Sequence, residues 1–313
     1  MKAKGILLTF LSAILYGIAP VFSSKSYPLG SNPITLTFYR EFLVLPLLLA
    51  VLLLRRVSLR VTRQQLITLL LVGLLGRGAT TLMLNISYSD IGVGTATTLH
   101  FMYPVFVALI CRAAFQERLG RAKLLALALA TAGVFLFLEG GGESGSLLGM
   151  TLALASGVTY AGYMVAVDKT AIRDLDPFLI TFYTAVAVDL GILAYNAFAR
   201  QIVFALPPAA MGYTFLTAVT ASFFAVVLLQ IGVRYLSATT AAVFSLFEPV
   251  SCSAAGALWL GETFTLPKAL GSAVILGAAG LLAAAKPAAS PDSQAALDLL
   301  MSSEGFPNPP EQP

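Results

Sequence analysis

The sequence predicts an all-α integral membrane protein of ten transmembrane helices, arranged as two inverted five-helix repeats. Three observations carry this expectation. Of 313 residues, 58% are hydrophobic and 11% charged, and the mean hydropathy is +0.87. A soluble domain averages about 45–50% apolar and about 25% charged, so this chain has too little charge to cover a surface facing water. The apolar residues also gather into runs of the ~20 residues that a helix needs to cross the hydrocarbon. Finally, the chain repeats itself at a nearly constant offset.

The runs fall at 5–24, 33–54, 64–84, 93–112 and 122–139, then at 148–168, 177–198, 211–231, 238–259 and 267–285. Short turns bearing Gly, Pro or charge separate them. Strands are ruled out by length, because a membrane strand takes only about 9–11 alternating residues. The first run follows Lys2 and Lys4 and so mimics a secretory signal. It is long for one, no small-x-small site follows it cleanly, and a related segment recurs at 150–170. It is therefore read as a retained span. After Lys286 the composition turns to Pro, Ser and Ala with four acids and no base, which predicts a disordered cytoplasmic tail over 287–313. The expected organisation is thus a first repeat over 1–143, a second over 144–286, and the tail.

The bases set the orientation. With the N-terminus in the cytoplasm, fourteen of the 19 lysines and arginines fall on that side and three (Lys25, Arg200 and Lys268) on the other, while Arg40 and Arg77 lie within spans. This bias places both termini in the cytoplasm. It also accounts for the net charge of +4 without a nucleic-acid partner.

The internal repeat is explicit in the residues. Ser12, Tyr16 and Lys25 recur 144 positions on as Ser156, Tyr160 and Lys169, and Pro33, Thr37, Phe38 and Tyr39 recur as Pro177, Thr181, Phe182 and Tyr183. Further along the offset is 145. Thr95, Ala96, Pro104, Val105, Glu117 and Lys123 then match Thr240, Ala241, Pro249, Val250, Glu262 and Lys268. Each copy holds five spans, and an odd number sends the second copy through the membrane in the opposite sense. Such inverted repeats mark secondary transporters that alternate access around a site near the midplane.

Several residues are placed to carry that function. His100 is the single histidine. With Tyr103 and Pro104 it is spaced i, i+3, i+4 on one helical face, and its partners in the second copy are Ser245, Glu248 and Pro249. Polar groups at that depth normally face a bundle interior or a wet cavity, so these faces are expected to line the substrate pathway. The alternative is that each satisfies a neighbouring carbonyl or tyrosine. Arg40, Glu41, Arg77 and Asp189 are the remaining buried charges, open to a structural network or to substrate contact. Arg40 and Glu41 are adjacent and so are expected to point to different sides and find other partners. Arg77 lies between Gly76 and Gly78, where there is room for a close helix or a substrate. Tyr16, Tyr160, Tyr163 and Phe244 offer aromatic surface, with Tyr39, Tyr88 and Tyr183 as further aromatics. Pro104 and Pro249 are expected to kink their helices and are the hinge candidates. Glu117 and Glu262 fall just past spans four and nine, where a carboxylate complements the N-terminus of the next helix.

The motifs Pro104-Val-Phe-Val-Ala with Glu117-Arg-Leu, and Glu248-Pro249-Val with Gly261-Glu262-Thr-Phe, resemble the duplicated signature of the drug/metabolite transporter superfamily, EamA type. Arg40, after Thr37-Phe38-Tyr39, is similar to that family's second-helix arginine. The resemblance covers residues 5–286. It implies a basket of ten helices around a central cavity and no ATP-binding domain, and no Walker-type loop is present in the sequence. Within the superfamily the chain is most similar to bacterial exporters of aromatic and other neutral amino acids.

The expected function is therefore export of small metabolites, above all neutral and aromatic amino acids, across a bacterial inner membrane. An amino acid brings one carboxylate and one ammonium, and Arg77 and Glu248 supply charges of both signs within the spans. Another small metabolite or drug, or passive flow through a channel, are the competing readings. An enzyme is not expected. One histidine excludes an H-E-x-x-H site, and Cys111 and Cys252 stand alone in apolar runs, so neither a metal nor another cofactor is expected. The expected partners are the substrate and the bilayer, with the chain as a monomer.

Overall fold

Every secondary-structure element among the described residues is helical. The computed structural model describes residues 2–91, 93–117, 119–136, 146–261 and 263–284. Glu262 and the expected tail lie outside these, as does the side chain of Tyr88. The first half comprises α1 (Lys2–Ser26), α2 (Pro33–Phe42), α3 (Val44–Leu54), α4 (Arg63–Leu71), α5 (Ala79–Ile91), α6 (Val93–His100), α7 (Tyr103–Phe115) and α8 (Arg121–Phe135). The second comprises α9 (Leu147–Lys169), α10 (Pro177–Ala199), α11 (Pro208–Thr217), α12 (Val226–Leu236), α13 (Ala238–Ser245), α14 (Glu248–Leu260) and α15 (Leu266–Ala284). A π-helical segment, Val72–Gly78, joins α4 to α5, and a second, Ala218–Ala225, joins α11 to α12.

Taken end to end, these elements make nine helices among the described residues that are long and apolar enough to cross a membrane. The fifth expected span, 122–139, is described only as the 15-residue α8. Large apolar side chains cover the outside: Phe198 is 92% exposed, Leu54 83% and Leu147 80%. Such a surface suits lipid and not water.

The helix starts follow local chemistry. Asn32 accepts hydrogen bonds from the Ile34 and Thr35 amides, and Asp176 accepts from the Phe178 amide. Each cap precedes a proline at the first helical position, where its missing N–H costs nothing. Thr62 and Gln65 form a reciprocal capping box ahead of α4.

Prolines explain the interruptions. A proline removes the hydrogen bond to the carbonyl four residues earlier and clashes with it. Pro104 acts on His100 and Pro249 on Ser245, and in each case the helix ends at that residue, turns for two residues, and restarts at Tyr103 or Glu248. In both spans the helical hydrogen-bond ladder lapses for two residues while the backbone at Met102, Leu246 and Phe247 stays in the right-handed region. Glycines bring the neighbouring helices onto these breaks. A Cβ on Gly17 would lie 2.9 Å from the Glu248 carbonyl oxygen, and one on Gly157 would lie 2.9 Å from that of His100.

Contacts between the halves are reciprocal. Tyr39 donates to the Phe204 carbonyl (2.8 Å), and its repeat partner Tyr183 donates to the carbonyl of Leu59 (2.7 Å), the partner of Phe204. Arg40 bonds Ser222 (3.0 Å), while Arg77, the partner of Ser222, bonds Thr184, the partner of Arg40 (2.9 Å). Ser12 meets the Ala225 carbonyl (2.7 Å), and their equivalents Ser156 and Thr80 meet in turn at 3.4 Å. The two π segments also occupy matching places in their halves.

Candidate functional site

The buried charges lie where α2, α10 and the two π segments converge. Arg77 Nη2 donates to both oxygens of Glu41 at 2.8 Å, and Nη1 donates to Thr184. Ser222 donates to Glu41 Oε1 at 2.8 Å. Arg40 Nε approaches the same oxygen at 3.5 Å, which corrects the expectation that the adjacent Arg40 and Glu41 find separate partners. Their backbone directions do diverge, but the long arginine side chain bends back through Ser222. Glu41 and Arg77 are 3% and 8% exposed, so this ion pair is shielded from water and lipid. The expected Arg77–Glu248 combination is not what forms, because Glu41 occupies Arg77. Arg40 uses only Nε, and its two Nη groups have no hydrogen-bond partner among the described residues.

An aromatic chain runs from the first helix break toward this network. His100 lies 5.7 Å from Tyr103 and 5.5 Å from Tyr160, Tyr103 meets Tyr160 edge-on at 4.9 Å, and Tyr160 stacks on Tyr163 at 5.8 Å. Gln230 Nε2 fixes Tyr163 by donating to its hydroxyl (2.9 Å). His100 Nδ1 lies 2.9 Å from Ser156 Oγ, whose own proton is donated to the Ala153 carbonyl at 2.6 Å. Nδ1 is therefore the donor and carries a proton. Tyr16 comes within electrostatic reach of Tyr163, Arg77, Arg40 and Glu248.

Glu248 stands at the second break, enclosed by the bundle yet only half-buried, with no hydrogen bond or ion pair among the described residues. Arg40 is the cation in electrostatic reach of it. Tyr103 faces both Ser245 and Glu248, so the two breaks adjoin. The structure thus brings Tyr16, His100, Tyr103, Tyr160, Tyr163 and Glu248 together, with Arg77 behind them. Phe244 is turned away, fully buried against Phe10 at 5.5 Å, and the Ser245 hydroxyl donates to its own helix at Ala241. An open depression of about 560 Å³ lies elsewhere, among Arg55, Asp174, Asp176 and Arg234. Sequence reading underrated Glu41, Ser222 and Thr184. The repeat offset held a signal, since it pairs Arg77 with Ser222 and Arg40 with Thr184.

A second charged cluster ties helix ends together. Glu117 pairs with Lys123 at 3.2 Å and Lys169 at 3.4 Å, Lys169 also meets Asp168 at 3.2 Å, and Asp168 accepts from the Ala238 amide at 3.1 Å. Glu117 therefore ties Lys123, in the first turn of α8, to Lys169 at the end of α9. Burial alone raises the pKa of its carboxyl, but the two lysines outweigh that and hold it below the ordinary glutamate range. A carboxylate depressed on folding contributes stability that is present above its unfolded pKa and is lost as pH falls through the folded one. The melting temperature of the wild type is therefore expected to fall more steeply on acidification below about pH 4 than that of Glu117→Gln, whose amide does not titrate. Parallel melting curves across this range in thermal denaturation would exclude the effect.

Apolar helices broken at two equivalent points beside a buried charged cluster define a multi-pass membrane transport protein. The family is given by comparison with known proteins. The chain belongs to the EamA-like transporter family, whose model matches residues 3–139 and 147–284, one copy in each half. It is similar to an uncharacterized transporter of Archaeoglobus fulgidus, with 30% identity over 61% of this chain and 67% of that one. It is also similar to an uncharacterized transporter of Synechocystis sp., at 36% identity over 36% of this chain, and spans 35% of that protein's length. A solved crystal structure superposes with a TM-score of 0.77 over 90% of this chain and 96% of the other. At 18% identity that likeness shows the fold alone.

Proposed function

We propose that this transporter exports small zwitterions, foremost neutral and aromatic amino acids, by alternating access between two inverted five-helix repeats. The reading includes ten spans, both termini in the cytoplasm and a bacterial inner membrane. The observation that carries it is the unpartnered Glu248 carboxylate at the junction of two broken helices, beside an aromatic wall. The substrate ammonium pairs with Glu248 and rests against Tyr16, Tyr103 or Tyr160 through a cation–π contact. The substrate carboxylate takes the open Nη edge of Arg40, whose fork matches it, in place of the occupied Arg77. An aromatic or aliphatic side chain lies along Tyr160 and Tyr163. The reciprocal hydrogen bonds support a pseudo-twofold relation between the halves, and the breaks at His100 and Ser245 are the natural points about which Pro104 and Pro249 let half-helices move.

Counterflow in proteoliposomes tests this reading. Vesicles loaded with unlabelled L-phenylalanine are expected to accumulate labelled L-phenylalanine saturably, and neutral amino acids are expected to compete. Transport of nucleotide sugars or lipids, with none of amino acids, overturns the substrate assignment. Unsaturable flux without exchange favours a channel.

A further inference from the structure

Asp189 lies on α10, within a membrane span and 5% exposed, and neither of its carboxyl oxygens has a hydrogen-bond partner among the described residues. Its neighbours on the same helix, Val188 and Ile192, pack into an apolar cluster with Phe38 and Ile202. The charged groups in electrostatic reach come from two of the packed elements: Glu41 on α2 and Arg77 on the first π segment. Arg40 adjoins them through Glu41. Helix α3 carries no titratable side chain. On the remaining neighbours, Arg63 starts α4 and Arg234 donates to the Leu175 carbonyl ahead of α10, so both stand at its far end.

Arg77 cannot serve Asp189 in this arrangement, since its Nη groups are committed to Glu41 and Thr184. An ionised carboxylate without a donor, taken out of water and set near a second carboxylate, costs far more than a neutral acid with one unfilled hydrogen bond. Two acids and two bases thus share one buried site, with compensation in this state for only one of the acids.

We propose that Asp189 is a proton-binding site whose loading is exchanged with the Glu41–Arg77 ion pair, so that transport by this chain is coupled to protons. The proposal rests on the transporter reading above and adds the coupling ion to it. With the proton on the Asp189 carboxyl, Arg77 belongs to Glu41, as seen here. When the proton leaves for water, the O–H bond breaks and its electron pair stays on Asp189. Arg77 is then drawn toward the new carboxylate, and Arg40 closes the remaining distance to Glu41. With the proton bound the site holds two guanidiniums and one carboxylate, and its release to water leaves two carboxylates matched by two guanidiniums. The moving part is the π segment that carries Arg77, a form of helix whose extra residue can migrate along the chain and which recurs at functional sites.

Two measurements test this. In infrared difference spectra of the purified protein at neutral pH, the wild type is expected to show the carbonyl stretch of a protonated buried acid that Asp189→Asn lacks; identical spectra overturn the proposal, whatever the substrate. In proteoliposomes holding a pH-sensitive dye, L-phenylalanine is expected to move protons through the wild type. Asp189→Asn, whose neutral amide mimics the loaded acid, is expected to exchange phenylalanine while its proton signal falls to that of protein-free vesicles. Wild-type counterflow indifferent to pH gradients of either polarity, or proton movement retained in Asp189→Asn, overturns the coupling and leaves the transporter reading intact. If the wild type shows no amino-acid counterflow, the substrate reading fails and the infrared band still decides Asp189.

Discussion

Glu41→Gln is expected to lower the melting temperature of the purified protein sharply. The carboxylate receives two bonds from Arg77, one from Ser222 and the approach of Arg40, all within a site shielded from water. Removing its charge strands a buried guanidinium. Breaking one side of such a pair costs about 3–5 kcal/mol, most of it the penalty of the partner left uncompensated. The converse Arg77→Met is expected to cost less than Glu41→Gln, because Arg40 and Ser222 remain beside Glu41 and partly compensate its charge. The double variant Glu41→Met/Arg77→Met is expected to melt closer to the wild type than either single change, since replacing both members by apolar groups of like volume is often near neutral. Thermal denaturation of the four proteins measures this cycle. Additive single effects would show that the pair is not energetically coupled.

Glu248→Gln is expected to cut L-phenylalanine counterflow by about tenfold or more, and to leave the protein monodisperse in size-exclusion chromatography. A hydrogen bond to a charged group is worth about 1.5–3 kcal/mol, and each 1.4 kcal/mol is tenfold in affinity. No partner among the described residues depends on this carboxylate, so its loss is expected to fall on the bound ammonium and not on the fold. Glu248→Asp, which keeps the charge one methylene back, is expected to retain part of the activity. Unaltered counterflow in Glu248→Gln would falsify the assignment of Glu248 to the ammonium. Aggregation of Glu248→Gln would instead mark a structural role that the absence of partners argues against.

The two expected results differ because the two acids differ in surroundings. Glu41 is surrounded by donors and holds helices together, whereas Glu248 has no hydrogen-bond partner among the described residues. Composition cannot tell them apart, as each is a glutamate within an apolar span.

The sequence by itself determined the class of fold. Hydropathy marks each span because the hydrocarbon leaves no water to bond a bare backbone, so apolar runs of helical length can only be helices. The constant offset fixed which residues are equivalent, and through it the reciprocal pairs of Tyr39 with Phe204 and Tyr183 with Leu59 became recognisable. Pro104 and Pro249 located the interruptions after His100 and Ser245, and only the packing showed that Gly157 and Gly17 bring neighbouring helices against them. Tertiary structure alone decided who partners whom. Arg77 chooses Glu41 over Glu248, across 36 positions of chain, and Ser222 reaches the same carboxylate across 181. Both contacts depend on how α2, α10 and the π segments cross, and no periodicity within a single span encodes a crossing. The π segments were equally hidden, since one extra residue in a turn leaves an apolar run looking like any other. Asp189 follows the same logic: the sequence shows a carboxylate in a span, and only the packing around it shows that the Nη groups of Arg77 are already given to Glu41 and Thr184.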